Sequence, residues 1–183
     1  MKPLPIDSGA DDCALMAAAG TGDEASFARL VDRHARALVN FFARMGAADA
    51  AEDLAQETFL KLWNARARYR PEARFTTFLY TIARRTFLDL CRSERRRGAF
   101  AQRLARESSA FSDGGMEAAR HRMDLLAALD ALPPRLKDVL VLSVMQGLSY
   151  AEIAEILSIP VGTVKSRVFT ALGFLRETFR ETR

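Results

Sequence analysis

The sequence has few of the residues that build metal sites, disulfide frameworks or membrane spans. Its 183 residues include two cysteines, Cys13 and Cys91, and two histidines, His34 and His121, all far apart. Their spacing matches no zinc or redox motif, which argues against a metal site or a disulfide. There is also no run of eighteen uncharged apolar residues, and the N-terminus lacks the pattern of a secretory signal. We therefore expect a soluble, cytoplasmic protein without membrane insertion.

The residue arrangements that carry catalysis are absent as well. The sequence shows no catalytic pattern that combines an acid with a histidine, no nucleophile motif and no glycine-rich phosphate loop. We therefore expect no enzymatic activity, no cofactor and no small-molecule substrate.

Basic residues are instead concentrated in one stretch, Arg66 to Arg97. It holds ten arginines against three acidic residues, a local charge of +7, whereas the whole chain carries +4 at pH 7. Five aromatic residues are interleaved with the arginines. Arginine neutralises phosphates and exposed rings stack on unpaired bases, so the pattern is typical of a surface for single-stranded nucleic acid. A solvated arginine-rich helix over an ordinary aromatic core fits this stretch equally well.

Apolar residues recur at three- and four-residue steps through most of the chain, which predicts helices. The first predicted helix has Asp11 or Asp12 as its N-cap and Gly20 as a left-handed stop. The second carries a core stripe from Phe27 to Met45. This stripe includes His34, whose position is more typical of a core residue than of a ligand.

A third helix, within residues 47–65, is predicted to have an acidic face. Asp53, Gln56 and Glu57 share this face at i, i+3 and i+4, and Leu60 extends it with an apolar side chain. Acids are favourable in a first helical turn, so part of the pattern is ordinary helix chemistry. Because DNA would repel such a face, we interpret it as a surface for a protein partner.

Pro71 interrupts the chain before a fourth predicted helix, which begins at Phe75. Phe75 and Phe78 belong to its core stripe. The residues on its other faces are expected to point outward, and they are Tyr80, Thr81, Arg84, Arg85 and Leu88.

A change of composition then divides the chain into two predicted domains, 11–97 and 123–181. Residues 98–122 have weak periodicity and a cluster of Ser, Asp and Gly, which indicates a flexible linker. In the second domain, a helix that ends at Gly147 is expected to bury Val144. The predicted fold is all-α, with two small helical domains of which the second is a four-helix domain containing a helix-turn-helix.

The helix-turn-helix is predicted near the end of the second domain. Its first helix starts at Ser149, where Glu152 completes a capping box, and a tight turn around Ser158 leads to the last helix. The first turns of the last helix can offer donors to base edges and phosphates; they contain Thr163, Lys165, Ser166, Arg167, Phe169 and Thr170. These residue types favour DNA binding over a plain helical hairpin.

Several segments closely resemble extracytoplasmic-function sigma factors, the minimal promoter-specificity subunits of bacterial RNA polymerase. They are DLAQETFLKLW, RFTTFLYTIARRTFLDLCR, LPPRLKDVLVLSVMQGLSYAEIAEILSIP and VGTVKSRV. The resemblance covers roughly residues 12–97 and 124–176. It implies a factor that directs core polymerase to specific promoters and helps to open them in a stress or environmental response. It also implies an anti-sigma factor as a partner.

The resemblance assigns roles to the residues already singled out. The acidic face would grip the clamp helices of the largest polymerase subunit. An unstacked base of the downstream promoter element would enter the loop that contains Tyr69, Arg70 and Arg74, and the outward residues of the fourth helix would face the same element. The upstream element would be recognised by Lys165, Ser166, Arg167 and Phe169.

Two positions depart from the family pattern. Thr170 stands where the family commonly has Arg, which removes one cationic DNA contact. Ser158 occupies a turn position often held by Gly, and a left-handed conformation there would cost about 1 kcal/mol.

Three other functions fit part of the pattern. A stand-alone helix-turn-helix transcriptional regulator would bind duplex DNA without polymerase and would usually need a dimer interface. A helical protein-binding adaptor would not bind DNA at all. An RNA-binding helical module fits least well, because single-strand modules are mostly built on sheets.

Overall fold

A computed structural model of the chain describes residues 9–70, 74–96, 98 and 126–181. Within these ranges the regular structure is entirely helical, which confirms the all-α prediction. The first half contains α1 (Gly9–Gly20), α2 (Glu24–Met45), α3 (Ala51–Ala65) and α4 (Phe75–Arg96), with 3₁₀ turns at Ala48–Ala50 and Arg66–Arg68. The second half contains α5 (126–130), α6 (Pro134–Leu140), the π-helical stretch Val141–Met145, α7 (Tyr150–Leu157) and α8 (Val161–Glu181). The predicted break at Pro71 and the predicted linker 98–122, apart from Gly98, lie outside the described residues.

The N-terminal boundary predicted for α1 is wrong, because tertiary contacts decide the positions of its two acidic residues. Asp11 and Asp12 lie inside the first turn instead of capping it. Asp12 is 1% exposed and binds two side chains of α2, with Arg33 Nη1 and His34 Nε2 each 2.8 Å from its carboxylate. The helix ends at Gly20 as predicted, but this glycine is helical and lacks the predicted left-handed conformation.

The core stripe predicted for α2 is confirmed. Leu30, Leu38, Phe41, Phe42 and Met45 are all buried. His34 is partly buried between Asp12 and the ring of Phe75, whose centroid lies 5.1 Å from its own. It is a structural residue that joins α1, α2 and α4.

Val144 was predicted to be buried, and this is wrong, because the helix that follows α6 changes its pitch. The Gln146 amide donates to the Val141 carbonyl, five residues back, at 3.2 Å. A π turn holds more residues than an α turn and therefore rotates the following side chains. Val144 is 58% exposed, whereas Val141 and Leu142 are buried. Gly147 ends the helix with φ of 68°, as predicted.

One hydrophobic core runs through both halves of the chain. It includes Phe41 and Leu79 from the first half together with Leu142, Ile153 and Val164 from the second. The contact between the halves is formed mainly by α4 and α7. The second half thus lies directly against the helix that carries the basic, aromatic stretch.

Candidate protein and nucleic-acid interfaces

The acidic face consists of Asp53, Gln56, Glu57 and Leu60 on α3. All four residues are exposed, and Leu60 retains 65% of its surface, which is unusual for a leucine. Glu57 pairs with Lys61 on its own helix at 2.8 Å, an exposed i,i+4 bridge that contributes little stability. The four side chains therefore form one accessible surface, as the sequence predicted.

An apolar groove adjoins the acidic face, and its extent was not predicted from the sequence. Its lining combines α2 and α3 and consists of Phe27, Val31, Gln56, Phe59, Leu60 and Trp63. Arg66 stacks over the Trp63 ring, with its guanidinium carbon 3.8 Å from the centroid, and donates to the Trp63 carbonyl. The sequence predicts Phe27 at the start of the α2 core stripe, whereas its side chain is only partly buried and lines this groove. Trp63 is partly buried, and its ring centroid lies 4.9 Å from that of Phe27 on α2.

The loop that precedes α4 holds Tyr69 on an aromatic cluster. Its ring centroid lies 5.4 Å from that of Phe78 and 6.5 Å from that of Phe75, and Tyr69 remains partly exposed. Arg70 and Arg74 are exposed beside it. A partly exposed ring next to two guanidinium groups can stack on a base and neutralise its phosphate.

Of the five residues expected to point outward from α4, Arg85 alone is exposed. Thr81, Arg84 and Leu88 are partly buried, and the Thr81 hydroxyl donates to the Thr77 carbonyl at 2.7 Å. Tyr80 is 3% exposed, so its predicted outward position is wrong. Its ring packs on Phe41 at a centroid distance of 5.3 Å, beneath the second half of the chain.

Polar contacts join this surface of α4 to the second half of the chain. The Tyr80 hydroxyl donates to Gln146 Oε1 at 2.5 Å, and burial raises the pKa of Tyr80, which keeps this donor protonated. Arg84 donates from Nε and Nη2 to Asp138 Oδ2 at 3.2 and 3.1 Å. Burial raises the pKa of Asp138 despite the opposing attraction of Arg84.

The helix-turn-helix is formed by α7 and α8, and its local chemistry matches the sequence prediction. Ser149 Oγ accepts from the Glu152 amide at 3.3 Å, while Glu152 Oε2 accepts from the Ser149 amide at 2.8 Å, completing the capping box. Ser158 adopts φ of 54° and ψ of 49°. The amides of Ser158 and Ile159 donate to the carbonyls of Glu155 and Ala154, as in a Schellman motif.

The start of α8 presents the predicted recognition residues. Lys165, Ser166, Phe169 and Thr170 are exposed, whereas Thr163 and Arg167 are partly buried. Phe169 retains 81% of its surface and is the most exposed large apolar side chain in the described part of the chain. The hydroxyls of Ser166 and Thr170 donate to carbonyls of their own helix at 3.1 and 2.9 Å.

The described residues contain neither a membrane-spanning helix nor a metal-binding cluster. No helix among them is long and apolar enough to cross a bilayer. Within the same residues, no three His, Cys, Asp or Glu side chains converge in a way that could hold a metal ion.

Known proteins match this chain in sequence and in structure. Residues 30–97 match the model of Sigma-70 region 2, and residues 122–175 match Sigma-70, region 4. RNA polymerase sigma factor CarQ of Myxococcus xanthus is 36% identical over 87% of this chain and 92% of its own length. The ECF RNA polymerase sigma-E factor of Escherichia coli strain K12 is 32% identical over 82% of this chain and 84% of its own length.

Solved structures show the same arrangement of helices. CnrH, solved in complex with the cytosolic domain of CnrY, superposes with a TM-score of 0.74 at 26% identity, covering 94% of this chain and 99% of CnrH. The sigma factor RpoE of Bartonella quintana, solved with the anti-sigma factor NepR, has a TM-score of 0.70 at 25% identity and covers 86% and 98% of the two chains. With region 2 and region 4 present in order on an all-helical fold, the chain belongs to the extracytoplasmic-function sigma factors.

Proposed function

We propose that this chain binds RNA polymerase core enzyme, directs it to specific promoters and helps to open them in response to stress or an environmental signal. The observation that carries the proposal is the joint presence of an acidic protein-binding face, an aromatic and basic loop, and a helix-turn-helix in family order. The chain itself would act as an initiation factor in the cytoplasm, and the polymerase would supply the catalysis.

The two helical domains divide this task. Domain 11–97 holds the acidic face with its apolar groove, and the opposite charge of the arginine-rich stretch keeps the polymerase surface distinct from the DNA surface. In domain 123–181, Lys165 and Arg167 stand in the first turns of α8, where a helix enters the major groove. Domain 11–97 thus binds the polymerase and the downstream element, and domain 123–181 reads the upstream element.

An anti-sigma factor is a further proposed partner. RpoE of Bartonella quintana, which shares this fold, was solved with the anti-sigma factor NepR. Exposed apolar side chains on the acidic face and on α8, Leu60 and Phe169, would give such a partner surface to bury.

Reconstituted transcription tests the proposed function. Fragmented genomic DNA of the source organism is transcribed by core polymerase with and without the chain, and the RNA 5′ ends are sequenced. We expect start sites that depend on the chain and share an upstream and a downstream sequence element. The absence of chain-dependent start sites would contradict the proposal, and DNA protection without polymerase would favour the stand-alone regulator.

A further inference from the structure

Three of the eight side chains proposed to contact the downstream promoter element bind the second domain in the free chain. Tyr80 and Arg84 each bind a residue of that domain, Gln146 and Asp138 respectively. Arg74, at the start of α4, lies 3.6 Å from Glu152 Oε1 of α7. Three residues of one proposed DNA surface thus have their polar partners within the same chain.

Asp138 holds a central position among these contacts. One of its oxygens accepts two hydrogen bonds from Arg84, which is the arrangement that a phosphate oxygen of DNA would offer to the same guanidinium. Arg167 of the proposed recognition helix and Lys137 also attract this carboxylate. The carboxylate therefore lies among cations that come from both proposed DNA-binding surfaces.

The contact between α4 and the second domain is weakened by buried polar groups that are incompletely paired, so another partner can displace it. The Gln146 amide nitrogen is buried and has no hydrogen-bond partner, and an unpaired buried group of this kind destabilises the closed arrangement. The burial that raises the pKa of Asp138 shows that desolvation offsets the attraction of Arg84. DNA offers many phosphates at once and can therefore compete with this single carboxylate.

We propose that Asp138 is an internal competitor for promoter DNA: its carboxylate holds Arg84, so that the second domain covers the α4 surface until DNA or polymerase displaces it. The proposal rests on the proposed function, since it assumes that Arg84 and Tyr80 contact the promoter. It adds a closed state of the free chain and names the carboxylate that maintains it.

Charge reversal at Asp138 tests the closed state without any DNA. Asp138→Arg places a cation among Arg84, Arg167 and Lys137, and like charges repel at such short range. We expect the full free chain to expand in small-angle X-ray scattering and α4 to exchange its amide hydrogens faster. Glu155→Arg, an exposed site on α7, makes the same charge change and should alter neither measurement.

A charge swap protects the test against a simple folding defect. In the double variant Arg84→Asp with Asp138→Arg, the two partners exchange signs, so we expect compactness and slow exchange in α4 to return. Failure of the swap to reclose an expanded Asp138→Arg chain would overturn the role of this pair. A wild-type chain that is already expanded in solution would overturn the closed state itself.

DNA binding then measures the competition. The probe is a fluorescent single-stranded 30-mer of mixed sequence, and its affinity for Asp138→Arg is compared with that for Glu155→Arg. If one tenth of the wild-type chain is open, full opening tightens the apparent affinity about tenfold relative to this control. Equal affinities for the two variants would overturn the competition. If the wild-type protein directed no transcription in the reconstituted assay, the proposed function itself would be contradicted.

Discussion

At the scale of single residues, Ser158 shows how a turn can be maintained against backbone preference. It is the one non-glycine residue with positive φ in the described part of the chain, and its left-handed conformation ends α7. The Schellman hydrogen bonds of Ser158 and Ile159 hold the turn. The helix-turn-helix therefore forms here despite a residue that disfavours its turn.

Replacing Ser158 by Gly should stabilise the second domain. The left-handed conformation costs a serine about 1 kcal/mol or more, of which the greater freedom of glycine in the unfolded chain cancels part. We expect the free energy of unfolding in urea to rise by up to about 1 kcal/mol. Gly147→Ala is the matched control, because Gly147 has φ of 68° and alanine there should destabilise the protein. A lower unfolding free energy for Ser158→Gly would refute this account.

Tyr69 is the residue on which proposed base capture depends. Its ring leans on Phe78 and remains partly exposed, a position suited to stacking on one unpaired base. We expect Tyr69→Ala to lower open-complex formation about tenfold, since stacking contributes about 1–3 kcal/mol per base. Permanganate reactivity of promoter thymines measures the opening, and Tyr69→Phe, which keeps the ring, is the control. Wild-type reactivity in the alanine variant would remove this role.

At the scale of elements, α3 performs two tasks with two faces. Leu54, Ala55 and Leu62 are buried on its inner side. Its outer side is the acidic face, which adjoins the apolar groove. Asp53 also satisfies a first-turn preference for acids, so its position has a helical reason as well as a proposed functional one.

Reversing two charges on α3 should weaken assembly with the polymerase. In the variant Asp53→Lys with Glu57→Lys, two exposed acids become cations, so electrostatic complementarity is lost while the core remains intact. We expect a clearly lower yield when core polymerase is co-purified with the chain. The exposed pair Glu155→Lys with Glu177→Lys makes the same change of charge elsewhere and should retain the yield. Equal yields for the two double variants would count against the acidic face.

At the scale of the whole molecule, the contact between α4 and α7 places the second half of the chain against the proposed downstream-promoter surface. The arginine-rich stretch and the recognition helix converge on Asp138, a carboxylate of the second domain. Because burial outweighs the attraction of Arg84, this pair contributes more to orientation than to net stability.

The stability of this arrangement should depend on pH through Asp138. Burial raises its pKa in the folded chain above the usual 3.8, so the folded state binds the proton more tightly than the unfolded state. This contribution to stability is complete at pH values below 3.8, the pKa in the unfolded chain, and it is lost as the pH rises through the pKa of Asp138 in the folded chain. The side chain in Asp138→Asn cannot titrate. We therefore expect the unfolding free energy of the wild type, relative to that of this variant, to decrease from about pH 3.5 to pH 7. If the difference in unfolding free energy between the two proteins, measured in urea, did not change with pH, the raised pKa of Asp138 would be contradicted.

Local sequence patterns were sufficient to predict the helices, the capping box at Ser149, the acidic face and the family. These features depend on residues within a few positions of each other, such as Glu152 three residues after Ser149. Side-chain periodicity also placed Phe75 in the core, where it is 1% exposed.

The tertiary structure alone decided the position of Tyr80, the rotation of Val144 and the partner of Arg84. Tyr80 lies off the local core stripe, but it packs on Phe41 of α2 and its hydroxyl binds Gln146, sixty-six residues further along the chain. Val144 faces outward because a π turn changes the helical repeat on which periodicity depends. Arg84, part of the basic stretch that indicates a DNA surface, is paired with Asp138 because long-range packing of α4 against the second half brings the two charges together.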